Sequence, residues 1–175
     1  MNEILNAMKT RRSVRKFAPT PVAPELLRQI EEAGLYAASG MGRQSPVILT
    51  VTDPAKRARL ADVNREIGGW PAGFDPFYGA PVVMIVLVPK ACFTGVYDGS
   101  LVIGNLMLAA HALDLGSIWI HRAKEEFERP EYRELLRSLG LDGEWEGVGH
   151  CAIGYAAGPL TPPPERKPNR VFHLD

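Results

Sequence analysis

The sequence predicts an α+β domain in which helices flank a central mixed sheet of four to five strands. Helix-like and strand-like segments alternate along the chain, a pattern typical of an α/β or α+β domain. The 175 residues suit one domain, because single hydrophobic cores stop growing only beyond about 250–300 residues. No repeat or linker divides the chain, so residues 1–175 are expected to form a single domain.

The first half predicts three helices and one strand. Apolar residues spaced three to four apart predict a short helix near the start, and a proline suits the first turn of the second helix. A β-branched run predicts the first strand. In chain order the elements are a helix containing Ile4, Leu5 and Met8, an extended proline-rich segment at 17–24, a helix at 25–38, a glycine-bearing loop at 39–45, a strand at 47–52, a helix at 54–66 and an irregular aromatic-rich segment at 68–78.

The second half predicts three strands and two helices. The first of these strands is apolar on both faces and therefore buried. The long helix is apolar nearly all round, so it is expected to be buried in a core or at a subunit interface. In chain order the elements are a strand at 81–88, the apolar helix at 98–115, a strand at 117–120, a charged amphipathic helix at 125–139, a strand at 148–155 and a proline-rich terminal arm at 158–175.

Composition excludes several classes of protein. The formal net charge is zero, with 20 basic and 20 acidic residues, which argues against a nucleic-acid binder or a protein of anionic membranes. The longest apolar run, at 80–88, is too short to span a bilayer, and the N-terminal residues lack the apolar core of a signal peptide. Cys92 and Cys151 lack metal-ligand spacing and are predicted to be buried free thiols, which favours a cytoplasmic location.

A basic cluster follows the first predicted helix. Arg11, Arg12, Ser13 and Arg15 place three guanidinium groups and a hydroxyl within five residues. Guanidinium groups donate paired hydrogen bonds to phosphate oxygens, and the hydroxyl adds another donor. A solvated surface is an equal alternative on spacing alone, because helix C-termini attract cations.

A second basic cluster lies among prolines near the end of the chain. It contains Arg166, Lys167 and Arg170. Taken alone, this cluster is better explained as a solubilising tail. The two clusters at opposite ends of a neutral chain nevertheless allow the hypothesis that both converge on one phosphate dianion.

The residues indicate no metal site and no side-chain nucleophile. The four histidines are scattered without zinc-ligand spacing, and the motifs of serine hydrolases, nucleoside triphosphatases and dinucleotide-binding folds are absent. His111, in the apolar helix, is predicted to be a core residue with its hydrogen bonds satisfied. Either the chain is not an enzyme, or a bound cofactor supplies the reactivity.

Six segments together resemble the nitroreductase family of flavoproteins, in the same order. They are TRRSVRKF at 10–17, AASGMGRQSP at 37–46, FYGAPVVMIVL at 77–87, GNLMLAAHALDLGSIWIHRA at 104–123, GHCAIGY at 149–155 and ERKPNRV at 165–171. The resemblance covers essentially the whole chain. It implies a nitroreductase-like fold, a homodimer with an exchanged C-terminal arm, and FMN bound at the subunit interface.

The resemblance also implies roles for individual residues. The first basic cluster would hold the phosphate, ribityl chain and pyrimidine edge of FMN, with Arg15 as the cation that stabilises the reduced ring. The loop after the second helix would reach the FMN bound mainly by the other subunit, and the apolar helix at 98–115 would form the dimer interface. The implied cofactor-binding residues are Arg11, Arg12, Ser13, Arg15, Ala38, Ser39, Gly40, Gln44, Trp119, Ile120, His121, Arg166 and Lys167.

Two departures from the family pattern concern substrate contacts. The family often has Asn-x-Gln-Pro-Trp in the loop where Gly42, Arg43, Gln44, Ser45 and Pro46 stand in this chain. The larger members also carry a helical insertion over the flavin, whereas this chain offers only residues 68–78 as a lid. Substrate preference therefore does not carry over from those members.

The resemblance implies hydride transfer from NADH or NADPH to a small electron-poor acceptor, such as a nitroaromatic or a quinone, with ping-pong kinetics. In this mechanism the flavin carries the chemistry and no side chain forms a covalent bond. The alternatives are an FMN carrier or sensor without turnover, a dehalogenating relative, for which the chain is short of lid residues, and a nucleic-acid binder, which the neutral charge disfavours.

Overall fold

A computed structural model describes residues 2–174 of the chain. The described segment contains six helices, four strands and one turn of 3-10 helix. The helices are α1 (Glu3–Thr10), α2 (Pro24–Leu35), α3 (Pro54–Ile67), α4 (Gly95–Ala112), α5 (Ala123–Phe127) and α6 (Pro130–Ser138), the strands are β1 (Val47–Val51), β2 (Val82–Pro89), β3 (Gly116–Ile120) and β4 (Trp145–Gly154), and the 3-10 turn is Gly40–Gly42.

The four strands form one sheet in the order β1-β2-β4-β3. All three strand pairs are antiparallel. The predicted α+β class is therefore confirmed. The sheet formed by β1 to β4 is antiparallel and not mixed, so that part of the prediction is wrong. One isolated parallel bridge joins Ser13 to Ser117 at the start of β3. Periodicity could not give the strand directions, because a strand has the same alternation of side chains in either orientation.

Helices cover both faces of the sheet, which explains why β2 is apolar on both sides. Residues 82–88 of β2 are all buried. One core lies between the sheet and α3, α5 and α6, and includes Ile85 and Phe127. The other lies between the sheet and α2 and α4, and includes Met84 and Leu106. Burial of large apolar side chains on both faces stabilises the fold, at about 25 cal/mol per Å² of apolar surface removed from water.

Helix α4 is buried on one side only within the chain. Val102, Ile103 and Leu106 face the core, whereas Tyr97 and Leu101 are exposed. The sequence pattern predicted burial all round, in a core or at a subunit interface. The other side of α4 therefore exposes apolar side chains, as the core of a subunit interface does.

Two expectations differ in detail from the structure. The helix expected at 125–139 is two helices, α5 and α6, because Pro130 cannot continue α5 and instead begins α6. Cys151 is fully buried as expected, but Cys92 is only partly buried, in the turn before α4. Residues 158–174 form an exposed arm and no regular strand.

Within residues 2–174, no helix is both long enough and apolar enough to cross a membrane. Over the same range, His, Cys, Asp and Glu side chains form no group of three or more suited to a metal ion.

Candidate functional site

The first basic cluster begins where α1 ends. The side chain of Asn2 caps the start of α1 by accepting hydrogen bonds from the main-chain N–H groups of Ile4 and Leu5. The chain then leaves the helix at Arg11 in an extended conformation, and the N–H of Val14 donates to the carbonyl of Ser117 at 3.0 Å. This bond ties the basic cluster to the first residues of β3.

The two basic clusters meet around one cavity of about 890 Å³. From the beginning of the chain, Arg11, Arg12, Ser13 and Arg15 line this cavity, and from the arm Arg166 lines it together with residues 161–164. Of the second basic cluster only Arg166 lines this cavity, so the two ends of the chain meet there through one residue of the arm. Lys167 lies next to this wall in sequence but does not line the cavity.

Arg11 and Arg12 differ in their surroundings. Arg12 donates to the carbonyl of Lys9 at 2.5 Å and to that of Thr10 at 3.1 Å, so its guanidinium already caps the C-terminal end of α1. The Nη1 atom of Arg11 is buried and has no hydrogen-bond partner among the described residues. A buried guanidinium nitrogen without a hydrogen-bond acceptor costs stability.

The charge of Arg11 acts on two neighbouring groups. Burial lowers the pKa of His111, and the nearby Arg11 lowers it further. Burial raises the pKa of Cys151 to about 12, and Arg11 partly opposes this shift. His111 is half-buried at the end of α4, and its Nε2 atom lies 2.9 Å from Oγ1 of Thr10, so it is a hydrogen-bonded surface residue and not the expected core residue.

The predicted residues at the end of β3, Trp119, Ile120 and His121, do not line the cavity. Trp119 packs against Gly149, where any side chain would collide with the indole, and Ile120 is buried. His121 is exposed, and its carbonyl accepts a hydrogen bond from Asn64 at 2.9 Å. Ile120 lies three residues beyond Ser117, roughly 10 Å along an extended strand.

The loop that contains Ala38, Ser39, Gly40 and Gln44 lies elsewhere in the chain. The N–H of Gly40 donates to Asp98 at 3.0 Å in the first turn of α4, and the N–H of Gln44 donates to the hydroxyl of Ser39 at 2.9 Å. Asp98 and His111 are thirteen positions apart on α4, roughly 20 Å, and it is His111 that contacts Thr10, the residue between Lys9 and Arg11 of the cavity lining. Within one chain the structure therefore does not bring this loop to the cavity.

Comparison with known proteins identifies the fold and its ancestry. The model of the nitroreductase family matches residues 8–68 and 71–155. The chain belongs to the nitroreductase family. The match includes the first basic cluster, the loop at 38–44 and the end of β3, and it stops before the C-terminal arm.

Named relatives within or near the family are flavin oxidoreductases. The FMN reductase [NAD(P)H] of Bacillus subtilis is 25% identical over 198 residues, which cover all of this chain and 74% of the relative. The NADPH-flavin oxidoreductase of Vibrio harveyi is 32% identical over 129 residues, covering 69% of this chain and 54% of the relative. This nitroreductase-family chain is thus shorter than both.

A solved structure of similar length shares the complete fold. The nitroreductase of Bacteroides fragilis, determined with bound FMN, superimposes with a TM-score of 0.90 at 28% sequence identity. The alignment covers 100% of both chains. The chain therefore shares the overall fold of this nitroreductase.

In this nitroreductase-family chain, the segment at 68–78, which the sequence offered as a lid, is an aromatic-rich turn. Trp70 and Phe74 pack with ring centroids 4.9 Å apart, and the guanidinium of Arg122 lies 4.3 Å from the centroid of Trp70. Asp75 accepts hydrogen bonds from the N–H groups of Phe77 and Gly79 and fixes the end of the turn. The lid is thus attached directly to the turn that follows β3.

Sequence reasoning missed several polar residues that organise this site. Asp98 joins the loop at Gly40 to α4, and Asn64, Glu126 and His150 are buried beneath the end of β3. The available signal was a single polar residue in an otherwise apolar segment, as for His150 in the strand GHCAIGY. That signal could not identify the partners, which come from other parts of the chain.

Proposed function

We propose that the chain binds FMN in the arginine-lined cavity and transfers hydride from NADH or NADPH to a small electron-poor acceptor. The observation that carries the proposal is the convergence of Arg11, Arg12, Ser13, Arg15 and Arg166 on one cavity. Relatives named as FMN and NADPH-flavin oxidoreductases support the reaction class. Nitroaromatics and quinones are the proposed acceptors, because they are flat and poor in electrons.

The residues present fit a phosphate-bearing cofactor. The unpartnered Nη1 atom of Arg11 supplies a buried donor, and the hydroxyl of Ser13 and the guanidinium of Arg166 add donors from two other directions. Arg15, also on this wall, would place positive charge beside the pyrimidine edge of the ring. Lys167, adjacent in sequence to Arg166, is included as a second cation for the phosphate.

The position of the loop at 38–44 supports a homodimer. Ala38, Ser39, Gly40 and Gln44 lie at the first turn of α4, whereas the cavity lies near its last turn. If two copies of α4 pack antiparallel about a twofold axis, the first turn of one copy lies beside the last turn of the other. The exposed Tyr97 and Leu101 supply the apolar contact for such packing. The loop would then complete the FMN site of the other subunit.

When bound, FMN supplies the two-electron redox chemistry, and the protein binds and orients it. The arginines fix the phosphate end, and the peptide backbone at Trp119, Ile120 and His121 would face the ring end. The aromatic lid around Trp70 would limit the entry of water. Donor and acceptor would use one slot in turn, which gives ping-pong kinetics. The proposal keeps the cytoplasmic location expected for a chain with two free cysteines.

An absorption spectrum of the purified protein, recorded before and after anaerobic addition of NADPH or NADH, tests the proposal. We expect the absorption spectrum of a flavin, either in the protein as purified or after FMN is added. Adding the nicotinamide should then bleach the flavin absorbance. If the chain binds FMN but neither NADH nor NADPH bleaches it, the chain is an FMN carrier or sensor instead. A colourless sample that does not bind added FMN would refute the proposal.

A further inference from the structure

A buried polar cluster lies beneath the turn that follows β3. His150 on β4 and Glu126 on α5 are both completely buried, and Nε2 of His150 lies 2.6 Å from Oε2 of Glu126. Asn64 on α3 is also completely buried. None of these three residues lines the arginine cavity. Their role is therefore distinct from binding the phosphate.

The cluster holds two consecutive carbonyl groups of the turn. The Nδ1 atom of His150 lies 3.2 Å from the carbonyl oxygen of Ile120, and Nδ2 of Asn64 donates to the carbonyl of His121 at 2.9 Å. Because a carbonyl oxygen can only accept, Nδ1 of His150 carries a hydrogen. The remaining ring nitrogen then shares a proton with Glu126, which fixes the orientation of the ring.

The turn itself has an unusual backbone. Arg122 has φ 79° and ψ 10°, a left-handed conformation that a residue with a side chain seldom adopts. Such conformations cost of order 1–3 kcal/mol and persist only where the surroundings fix them, most often at functional sites. Here His150 and Asn64 fix the two preceding carbonyls, and Trp70 fixes the side chain of Arg122.

The cluster is expensive in terms of stability alone. Oε1 of Glu126 and Oδ1 of Asn64 are buried without hydrogen-bond partners among the described residues. A buried pair of ionisable groups with unsatisfied atoms usually gives less stability than apolar side chains of the same volume. The presence of this polar cluster in the core is explained if it serves to fix the turn.

We infer that His150, Glu126 and Asn64 are positioning residues, which hold the Ile120–Arg122 turn in the shape needed against the redox ring. This inference rests on the proposed function, because the turn is the part of the site assigned to the ring end of FMN. The positioning residues do not touch the cofactor and act through the two carbonyls. Substitution should therefore alter the reaction at the ring more than the affinity for FMN.

Asn64→Leu removes the hydrogen bond to His121 while keeping similar volume, and Glu126→Gln keeps a hydrogen-bonding group next to His150. Tyr132→Phe is the matched control, because the Tyr132 hydroxyl is also buried without a partner in the described chain but does not contact the turn. The measurements are kcat and KM for the nicotinamide, the midpoint potential of bound FMN and the Kd for FMN.

We expect Asn64→Leu to lower kcat at least tenfold and to shift the midpoint potential, with less than a threefold change in the Kd for FMN. Glu126→Gln should retain most of the activity, and Tyr132→Phe should behave as wild type. Unchanged kcat and potential in a folded Asn64→Leu protein would overturn the inference, whatever its thermal stability. A wild-type protein that binds no FMN would instead refute the proposed function, and the positioning role with it.

Discussion

The hydroxyl of Thr10 lies 2.9 Å from Nε2 of His111, which joins the last residue of α1 to the last turn of α4. This contact places the basic cluster that follows Thr10 against the end of the helix proposed to form the dimer interface. The proposed cofactor anchor and the proposed subunit interface are therefore linked through this one polar pair.

This pair gives the chain a defined pH dependence. Burial, and then Arg11, lower the pKa of His111 below that of the unfolded chain. The unfolded state consequently binds more protons as the pH falls below about 6.5, so stability present above that value is lost as the pH falls through the folded-state pKa. Urea unfolding at pH 7.5 and pH 5.5 should show lower stability at pH 5.5. In His111→Gln this difference should shrink, and an identical difference in both proteins would contradict the assignment.

Arg11 and Arg12 should contribute unequally to FMN binding. Arg11 has a buried nitrogen without a partner, whereas Arg12 already binds two carbonyls at the end of α1. A hydrogen bond to a charged group contributes about 1.5–3 kcal/mol, so Arg11→Ala should weaken FMN roughly 10- to 150-fold. Arg12→Ala should weaken FMN less and lower the melting temperature more, and the double variant should purify without flavin.

Arg28→Ala is the control for these titrations, because Arg28 pairs with Glu25 on the exposed side of α2 and does not line the cavity. It removes the same charge away from the cavity. Fluorescence titration of each apoprotein with FMN gives the Kd values. Equal affinities for wild type and Arg11→Ala would exclude Arg11 from the phosphate site.

The exposed apolar side of α4 predicts a homodimer. Leu101 on α4 is 51% exposed, and Leu139, just after α6, is 52% exposed. Leu101→Arg should yield a monomer that binds FMN poorly, since charge is unfavourable in the core of an interface. Leu139→Arg should leave the dimer and its flavin intact. Light scattering with absorbance detection distinguishes these cases, and a flavin-loaded wild-type monomer would contradict the prediction.

Gly147 on β4 should tolerate no side chain. A Cβ atom there would collide with the carbonyl group of Ala123 at the start of α5, far inside van der Waals contact. Gly147→Ala should therefore displace α5, and with it Glu126, and should destabilise the fold by about 1–3 kcal/mol. Urea unfolding measures the effect, and equal stability of Gly147→Ala and wild type would contradict this packing.

The elements at the centre of the chain were predictable because their patterns are local. The apolar run of β2 and the proline that begins α2 specify their structures within a few residues. The break at Pro130 was also visible in the sequence, but the charged periodicity on both sides concealed it. The antiparallel direction of the sheet was not predictable from alternation of side chains.

By itself, the sequence determined the class of fold, the residue types able to bind a phosphate and, through ordered motifs, the resemblance to one family. Only the tertiary structure decided which guanidinium is left without a partner, which end of α4 each segment adjoins, and that Asn64, Glu126 and His150 meet beneath one turn. The physical reason is that a residue's chemistry is local, whereas its burial and partners depend on segments that are distant along the chain.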